Sequence, residues 1–331
     1  MPVNVKHLFI INPHSFWHSW KMDRVIAKIH HHFENSGSGE YEIVISQFPR
    51  DAMGIIRSCK QNLPEGITLR VYAVGGDGIL FDCLNGIMGF PNVELGAMPY
   101  GRTNNFIRGF GKKNESLFRN LSLQCTAQPI PIDIINTGNN YALNHCIVGT
   151  EAEAVRWSDV IRERMEQGGP ITRWLSRKLY VFFYFAGGIR ACLNKKLLYQ
   201  NYKITINGEV TSGHYLGLSI ANGAFYGGFM HPMNNALPND GILEILIAHS
   251  RGILHTYCIL PFYTTGRYKM ITRDFVPKRG TKITVNSDYP LIICLDDKIF
   301  FDTELTVELL LNAVRFIDPA KKGYLGASAN G

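Results

Sequence analysis

The residues best suited to chemistry are four in a row, Gly75-Gly76-Asp77-Gly78. They follow an apolar stretch at 69–74 that is typical of a strand, and from Ile79 onward apolar residues recur at helical spacing. Glycines let the backbone approach a ligand closely, and the free N–H groups of a helix N-terminus bind phosphate. A carboxylate in such a turn can hold a ribose, a metal ion or a neighbouring amide. The pattern is compatible with a phosphate site and equally with a tight structural turn.

Two further turns of this kind occur in the amino-terminal part. An apolar stretch at 93–98 ends at Pro99-Tyr100-Gly101-Arg102-Thr103-Asn104-Asn105-Phe106, where another helical pattern begins. An apolar stretch at 8–11 ends at Asn12-Pro13-His14-Ser15. The carboxyl ends of parallel strands meet at one edge of a sheet, and open α/β sheets bind ligands there. The three turns are therefore expected to form one site.

Together these turns resemble the catalytic domain of diacylglycerol kinases, and more narrowly the bacterial soluble lipid kinases related to sphingosine kinase. The similarity rests on Asn12-Pro13, on Gly75-Gly76-Asp77-Gly78 and on Pro99-x-Gly101-x-Thr103-Asn104-x-Phe106. It continues in three stretches further along: Leu143-Asn144-His145 with Gly149 and Glu151, then residues 222–229, then residues 236–241. Order and spacing agree over roughly residues 5–318.

The resemblance implies an ATP site made by all three turns. Its expected residues are Asn12, Pro13, Ser15, Gly75, Gly76, Asp77, Gly78, Gly101, Arg102, Thr103 and Asn104. Asn12 and Ser15 would donate hydrogen bonds to phosphate, or would instead cap the following helix. Thr103 and Asn104 would contact phosphate or brace the first glycine turn, and Gly101 would leave room for the nucleotide.

The resemblance also implies Mg²⁺ as a cofactor. Its expected ligands are the carboxylate of Asp240 and the backbone carbonyls of Leu237 and Ile242. One protein carboxylate is enough, because Mg²⁺ keeps several of its waters. An Asp-Gly turn between two strands is the structural alternative for the same residues.

The chain departs from the family pattern at three places. After the first glycine turn the usual Thr-x-Asn-Glu reads Ile79-Leu80-Phe81-Asp82. In the second turn a Gly-Thr pair reads Gly101-Arg102, so that Arg102 could bring charge to a phosphate, and an Asn-Asp pair reads Asn104-Asn105. The family's Asp-Gly-Glu, whose Glu is the expected proton acceptor, aligns with Asp296-Asp297-Lys298.

These last three residues are the catalytic candidates, and Lys298 weakens the case for catalysis. An exposed lysine is protonated near neutral pH and cannot accept a proton, so Asp296 or Asp297 would have to be the base. The alternative is a protein that binds nucleotide or lipid and has lost catalysis. A NAD-kinase-like enzyme is a less favoured alternative, because those enzymes share the Gly-Gly-Asp-Gly turn but not the stretches at 99–106 and 222–241.

The composition is that of a folded protein of two domains. The chain has 331 residues, of which 46% are hydrophobic and 18% are charged. Its net charge of +7 indicates an anionic partner, and no recognised motif accompanies this charge to suggest a nucleic acid. The seven scattered cysteines favour reduced thiols and a cytoplasmic location. No apolar run reaches the ~20 residues of a membrane span.

Strand and helix patterns alternate up to residue 129, which predicts an α/β nucleotide-binding domain with a parallel sheet and flanking helices. Residues 130–311 predict a mainly antiparallel β-sandwich for the lipid substrate, with helices near 151–166, 171–193 and 251–265. Its expected strands are 131–135, 141–148, 202–206, 215–220, 242–248, 282–286 and 291–295. Asn207-Gly208 is a strong hairpin signal, and Asp296-Asp297 is a weaker one. The resemblance implies that residues 312–320 return to the first domain.

Basic and aromatic residues are interleaved between Arg162 and Lys196. This pattern fits an element that contacts an anionic membrane, and equally a core helix with a solvated basic flank. The sequence as a whole predicts an ATP-dependent kinase that transfers the γ-phosphoryl group to a hydroxyl of diacylglycerol or a related lipid. The expected setting is cytoplasmic, with peripheral contact at the inner membrane face and a homodimer as a further expectation.

Overall fold

The computed structural model describes residues 5–36, 39–228 and 230–326. Four strands of its amino-terminal part pair in parallel, in the order β4-β3-β1-β2. They are β1 (Val5–Ile11), β2 (Glu40–Ile45), β3 (Thr68–Gly75) and β4 (Val93–Pro99). Three helices alternate with them: α1 (Ser19–Ser36), α2 (Asp51–Gln61) and α3 (Asp77–Ile87).

Helices cover both faces of this parallel sheet. Leu8 and Ile10 of β1 pack in the cluster that contains α2 and α3, whereas Phe9 and Ile11 pack in the cluster that contains α1. Successive strand residues point to opposite faces, so a strand covered on both sides has to be apolar throughout. This explains why the strands read as continuous apolar runs.

Between β4 and residue 129 the chain contains only short helices. They are α4 (Asn105–Arg108), α5 (Glu115–Phe118) and α6 (Leu121–Thr126). The helical pattern predicted from Phe106 is therefore a single turn, and 3-10 turns lie at Pro13–Ser15 and Lys112–Asn114.

The second part of the chain is built on antiparallel pairs. Its strands are β5 (Pro129–Asn136), β6 (Tyr141–Ala142), β7 (His145–Gly149), β8 (Asn201–Ile206), β9 (Glu209–Ala221), β10 (Leu243–His249), β11 (Phe275–Gly280), β12 (Lys282–Leu295) and β13 (Lys298–Ile317). Neighbours among them run antiparallel. An α/β part is thus followed by a mainly antiparallel β part, as predicted from the sequence.

Three of the expected strands differ from the structure. The stretch 141–148 is interrupted, because the N–H groups of Leu143 and Asn144 bond to the carboxylate of Asp296 instead of to a strand. The stretches 282–286 and 291–295 form one strand, β12, whose register shifts between Asn286 and Leu291.

Five helices belong to the second part: α7 (Thr150–Glu166), α8 (Pro170–Lys178), α9 (Tyr180–Cys192), α10 (Lys195–Leu198) and α11 (Ile253–Thr264). The helix expected at 171–193 is therefore two helices that meet at Leu179. Among the helices of the described part, none is both long and apolar enough to cross a membrane.

β13 connects the two parts. Its first half pairs with β12, and near its end Arg315 and Phe316 pair in parallel with β4. The register with β5 shifts between Leu310 and Val314, where Asn312 has a φ of 50° and donates its N–H to Asp133. The domain boundaries at 129/130 and 311/312 stay a prediction.

Candidate functional site

The largest cleft lies between the ends of the parallel strands and α7. Its volume is about 810 Å³, which falls in the range of about 300–1,000 Å³ typical of small-molecule sites. Of the residues expected to bind ATP, nine line it: Asn12, Pro13, Ser15, Gly76, Asp77, Gly78, Gly101, Arg102 and Thr103. Gly75 and Asn104 lie directly behind this lining, at hydrogen-bond distance from the second turn.

The first and second glycine turns touch through their backbones. The carbonyl of Gly75 accepts N–H groups from Tyr100 and Gly101 at 2.8 and 2.9 Å. A Cβ atom added to Gly101 would lie 2.3 Å from the Cα of Gly76, so no other residue fits at 101 without moving a turn. Gly76 precedes α3, and its neighbours Asp77 and Gly78 form the first turn of that helix. The turns therefore present a helix N-terminus to the cleft.

Asp77 holds the two turns together. Its carboxylate accepts the hydroxyl of Thr103 at 2.7 Å and the N–H groups of Asn105 and Phe106 at 2.9 and 3.4 Å. Burial raises the pKa of Asp77, and these donors oppose that shift. Of the two roles considered for Thr103, the structure gives it the bracing contact.

Asn104 also braces the second turn. It has a φ of 47°, and its side-chain amide donates to the carbonyl of Gly101 at 3.1 Å. The neighbouring Asn105 accepts the N–H of Gly228 at 2.8 Å, which ties this turn to the glycine-rich stretch of the second part. Phe229, in the same stretch, lies outside the described residues.

Asn12 and Ser15 differ in what they do at the end of β1. The side chain of Asn12 accepts the N–H of His14 at 3.0 Å and so caps the 3-10 turn at Pro13–Ser15. The hydroxyl of Ser15 faces the first glycine turn, 2.7 Å from where a Cβ of Gly75 would lie. The capping alternative thus describes Asn12, whereas Ser15 belongs to the lining of the cleft and has its hydroxyl beside Gly75.

Three cationic side chains line the cleft: Arg102, Arg162 and Lys298. Arg162 pairs with Asp159 at 2.9 Å, three residues earlier on α7. Burial raises the pKa of Asp159, and the charges of Arg162, Arg102 and Lys298 oppose the shift. Lys298 also opposes the rise that burial causes in the pKa of Asp82. The described lining also contains four carboxyl groups, those of Asp77, Asp159, Glu166 and Asp297, so positive charge is available to a polyanionic ligand only locally, at the three cations.

Asp296 and Asp297 form a two-residue hairpin turn between β12 and β13, with φ values of 41° and 73°. The carboxylate of Asp296 accepts the N–H groups of Leu143, Asn144 and His145, at 2.6, 3.0 and 2.8 Å. Burial raises its pKa to about 7, and these three donors oppose the rise. Asp296 therefore fixes the hairpin on the strand beside it and does not line the cleft.

Asp297 does line the cleft, beside Lys298. Burial, followed by the charges of Asp77, Asp159 and Asp296, raises its pKa to about 8. The two adjacent aspartates thus differ sharply in their surroundings, although the sequence offers no reason to prefer either.

The expected magnesium ligands lie elsewhere. Leu237, Asp240 and Ile242 are absent from the described lining of the cleft. Oδ1 of the exposed Asp240 accepts the N–H of Ile242 at 3.2 Å, and Gly241 donates its N–H to Asp133. These oxygen groups fit Mg²⁺ in kind, but the same contacts also describe the Asp-Gly turn considered as the alternative.

A separate apolar pocket adjoins the cleft. Its volume is about 100 Å³, and it lies between α9, α11 and the sheet. Glu151 stands in its wall and accepts hydroxyls from Tyr184, Tyr263 and Ser219 at 3.0, 2.6 and 3.1 Å. Burial raises the pKa of Glu151. Tyr184 lines both cavities and is their common wall.

The sequence analysis missed Asp159, Tyr184 and Tyr226 as lining residues of the cleft. The i, i+3 spacing of Asp159 and Arg162 on α7 was a usable signal for a charged helix face. Tyr226 lies in the stretch 222–229 and Tyr184 in the basic and aromatic stretch 162–196, but neither pattern indicates that these side chains reach the cleft.

Comparison with known proteins agrees with this arrangement. The family model described as "Diacylglycerol kinase catalytic domain" matches residues 6–137, and the one described as "YegS C-terminal NAD kinase beta sandwich-like domain" matches residues 173–317. Staphylococcus aureus proteins of strains Mu3 and Newman, each named "Putative lipid kinase", are 24% identical over 302 residues, which is 86% of this chain and 92% of theirs. The chain belongs to the diacylglycerol kinase-like family of bacterial lipid kinases.

Solved structures share the fold. A diacylglycerol kinase from Bacillus anthracis matches with a TM-score of 0.64 and 17% identity, covering 95% of this chain and 97% of that one. Another structure from the same organism, titled "A putative diacylglycerol kinase", has a TM-score of 0.68 and 18% identity, covering 95% and 98%.

Proposed function

We propose that the protein is an ATP-dependent lipid kinase that phosphorylates a hydroxyl of diacylglycerol or a related lipid. The observation that carries the proposal is the adjacency of two unlike cavities. A cleft with glycine turns and three cationic side chains shares Tyr184 with an apolar pocket. A polyphosphate suits the first cavity and an acyl chain suits the second, and a kinase has to bring these two substrates together.

The triphosphate would lie against the glycine turns. The N-terminus of α3 offers N–H groups there, and Arg102, Arg162 and Lys298 supply positive charge. These fixed charges would stabilise the negative charge on the transferred group in the transition state. Lys298 occupies the family's proton-acceptor position, and in this proposal its positive charge stabilises the phosphate groups instead.

Asp297 is the base in this proposal. The lipid oxygen forms a bond to the γ-phosphorus while the bond from that phosphorus to the β–γ bridging oxygen breaks, and ADP leaves. The hydroxyl proton passes to Asp297 in its ionised form; a pKa of about 8 leaves about a tenth of the protein in that form at pH 7, so activity should rise with pH up to about 8. Asp296 is unsuited to this task, because three N–H groups occupy its oxygens.

The apolar pocket would receive the lipid's chain. At about 100 Å³ it has room for the end of an acyl chain and not for a whole lipid. Glu151, fixed by three hydroxyl groups, is the acidic group of its described lining. The lipid hydroxyl would then lie near Tyr184, between the pocket and Asp297.

Magnesium, when bound, would neutralise phosphate charge. Asp240 with the carbonyls of Leu237 and Ile242 would hold an ion at the turn before β10, away from the cleft, where it would stabilise the turn. We assign no residue of the cleft to a catalytic ion.

The direct test is phosphoryl transfer from radiolabelled ATP, with Mg²⁺, to a mixed-lipid extract. Label in a lipid supports the proposal, and chromatography then identifies the acceptor. Label in NAD but in no lipid would favour the NAD-kinase-like alternative. If the protein binds ATP but labels no acceptor, the alternative of a binding protein that has lost catalysis would be favoured.

A pair of variants tests the assignment of the base. Asp297→Asn should lower kcat by about 100-fold or more while ATP affinity is kept. Asp296→Asn should instead lower the melting temperature, because an amide oxygen cannot serve three N–H donors. Full activity of Asp297→Asn would refute the assignment.

Variants at Lys298 test the alternative that the protein binds nucleotide or lipid but has lost catalysis. Replacing Lys298 by Glu and Asp297 by Gly restores the family turn, and glycine relieves the left-handed backbone at φ 73°. If wild type is inactive and this double variant is active, the chain is a kinase that has lost its base. If wild type is active and the double variant is weaker, Asp297 has taken over the role.

A further inference from the structure

Helix α9 shows an apolar stripe to solvent. Phe182, Phe185, Ile189 and Leu193 follow one another at intervals of three, four and four residues, the last just beyond the end of the helix, and their exposed fractions lie between 40 and 67%. This spacing puts them on one side of the helix. A solvent-facing side is normally polar, so the stripe requires a covering partner.

The packing of α9 fixes the direction of this stripe. Phe183 and Ala191 on the other side are buried. A Cβ on Gly187 would lie 2.2 Å from the carbonyl oxygen of Ala154, so the backbones of α9 and α7 are in close contact there. The stripe therefore cannot turn inward without separating the two helices.

The start of α11 continues the apolar surface. Leu254 is 84% exposed, more than the other large apolar side chains in the described residues, and Ile253 beside it is also exposed. Helices α9 and α11 form facing walls of the apolar pocket, through Phe185 and Leu260 among others. Phe185 belongs to both the stripe and the pocket, so the exposed apolar residues border the pocket.

Positive charge lies next to this surface. Lys195 and Lys196 are exposed and follow Leu193 within three residues. Lys195, Arg251 and Leu254 line one shallow depression of about 320 Å³. Arg251 is partly neutralised, because it pairs with Asp274 at 3.4 Å. Lys195 and Lys196 are therefore cations that a partner on this surface would meet, together with the exposed Arg190 of α9.

We propose that this surface docks on an anionic lipid bilayer. We call it the apolar rim, and it consists of Phe182, Phe185, Ile189, Leu193, Ile253 and Leu254. The rim enters the boundary between headgroups and acyl chains, Lys195 and Lys196 meet anionic headgroups, and lipid passes between α9 and α11 into the pocket. A second copy of the chain is a poorer partner, because its own lysines would face these two.

The identity of the lipid that passes through rests on the proposed function, whereas docking does not. Docking is therefore measured without nucleotide, by cosedimentation with phosphatidylcholine vesicles that contain phosphatidylserine. The test variant is Ile189→Ser with Leu254→Ser. The matched control is Phe48→Ser with Val210→Ser, whose side chains are similarly exposed but lie outside the rim. All four positions are on the surface, so the melting temperature of both variants should equal that of wild type.

The rim variant should lose about tenfold or more in vesicle partitioning, while the control keeps wild-type partitioning. Lys195→Gln with Lys196→Gln should remove most of the preference for phosphatidylserine and most of the salt sensitivity. Unchanged partitioning of the rim variant would overturn the proposal, and so would an equal loss in the control.

Sedimentation velocity separates the bilayer from a second copy of the chain. Wild type and rim variant should have the same oligomeric state without vesicles. If only the rim variant dissociates, the rim is a subunit interface and the proposal falls. If the rim variant loses vesicle binding while wild type labels no lipid, docking stands and the kinase proposal falls.

Discussion

The glycine-lined cleft and the apolar pocket meet at Tyr184, yet they are built in opposite ways. The cleft takes its shape from the backbone of three turns, each only a few residues long and each placed at the end of a parallel strand. The pocket takes its shape from side chains of several strands and helices, spread from Val148 to Phe275. The cleft is therefore formed by short sequence motifs, whereas the pocket is formed by the packing of side chains that are distant in sequence.

This difference predicts how each site responds to change. Gly75, Gly76 and Gly101 leave no free space for a side chain, so one added methyl group there displaces a turn. A site made of side chains can absorb a substitution by repacking, with a smaller loss.

Gly101→Ala should lower ATP affinity by about 100-fold, which is roughly 3 kcal/mol. The added Cβ would lie 2.3 Å from the Cα of Gly76, and both turns would have to move. Isothermal titration calorimetry with an ATP analogue measures the change. Gly54→Ala is the control, since a Cβ there meets no atom within 4 Å and should slightly stabilise α2. Equal affinities of Gly101→Ala and wild type would contradict a backbone-made cleft.

Gly188→Leu should raise the KM for a long-chain lipid by about tenfold, with the KM for ATP unchanged. Gly188 lines the pocket, and a Cβ there has open space, so the larger side chain fills the pocket without a backbone clash. Ala186→Leu, at an exposed position of the same helix, is the control. A parallel rise in both KM values would show that the two cavities are not separable.

Asp297→Asn should raise the melting temperature by a few degrees at pH 9 and by less at pH 5. The folded-state pKa of about 8 lies above the unfolded value of about 3.9, so ionisation of Asp297 costs stability. The cost grows as pH rises from about 4 to about 8 and is then constant. Thermal denaturation between pH 4 and pH 9 measures it, and an advantage that is independent of pH would argue against the raised pKa.

Ser15→Ala should weaken ATP binding by about three- to tenfold, the value of one neutral hydrogen bond. Ser15 lines the cleft and Asn12 already caps the local turn, so the melting temperature should stay constant. Calorimetry and thermal denaturation together decide between the two roles. A lower melting temperature of Ser15→Ala with unchanged ATP affinity would show that Ser15 caps the turn and does not bind ATP.

Much of the cleft was predictable because its parts are local. A strand that ends in glycine, with a helix pattern behind it, predicts a turn from a few adjacent residues. The two-residue hairpins at Asn207-Gly208 and Asp296-Asp297 were predictable for the same reason, and all four residues have positive φ values. The α/β part followed by an antiparallel part likewise follows from the order of short patterns.

The sequence by itself determined these turns, the glycines in them and the family to which they belong, because a turn's conformation depends on its own few residues. Only the tertiary structure decided that Asp296, and not the adjacent Asp297, accepts three backbone hydrogen bonds. The three N–H groups that hold Asp296 come from residues 143–145, about 150 positions earlier in the chain. The apolar pocket and its exposed rim were decided in the same way, because a cavity exists only where distant side chains pack without filling the space between them.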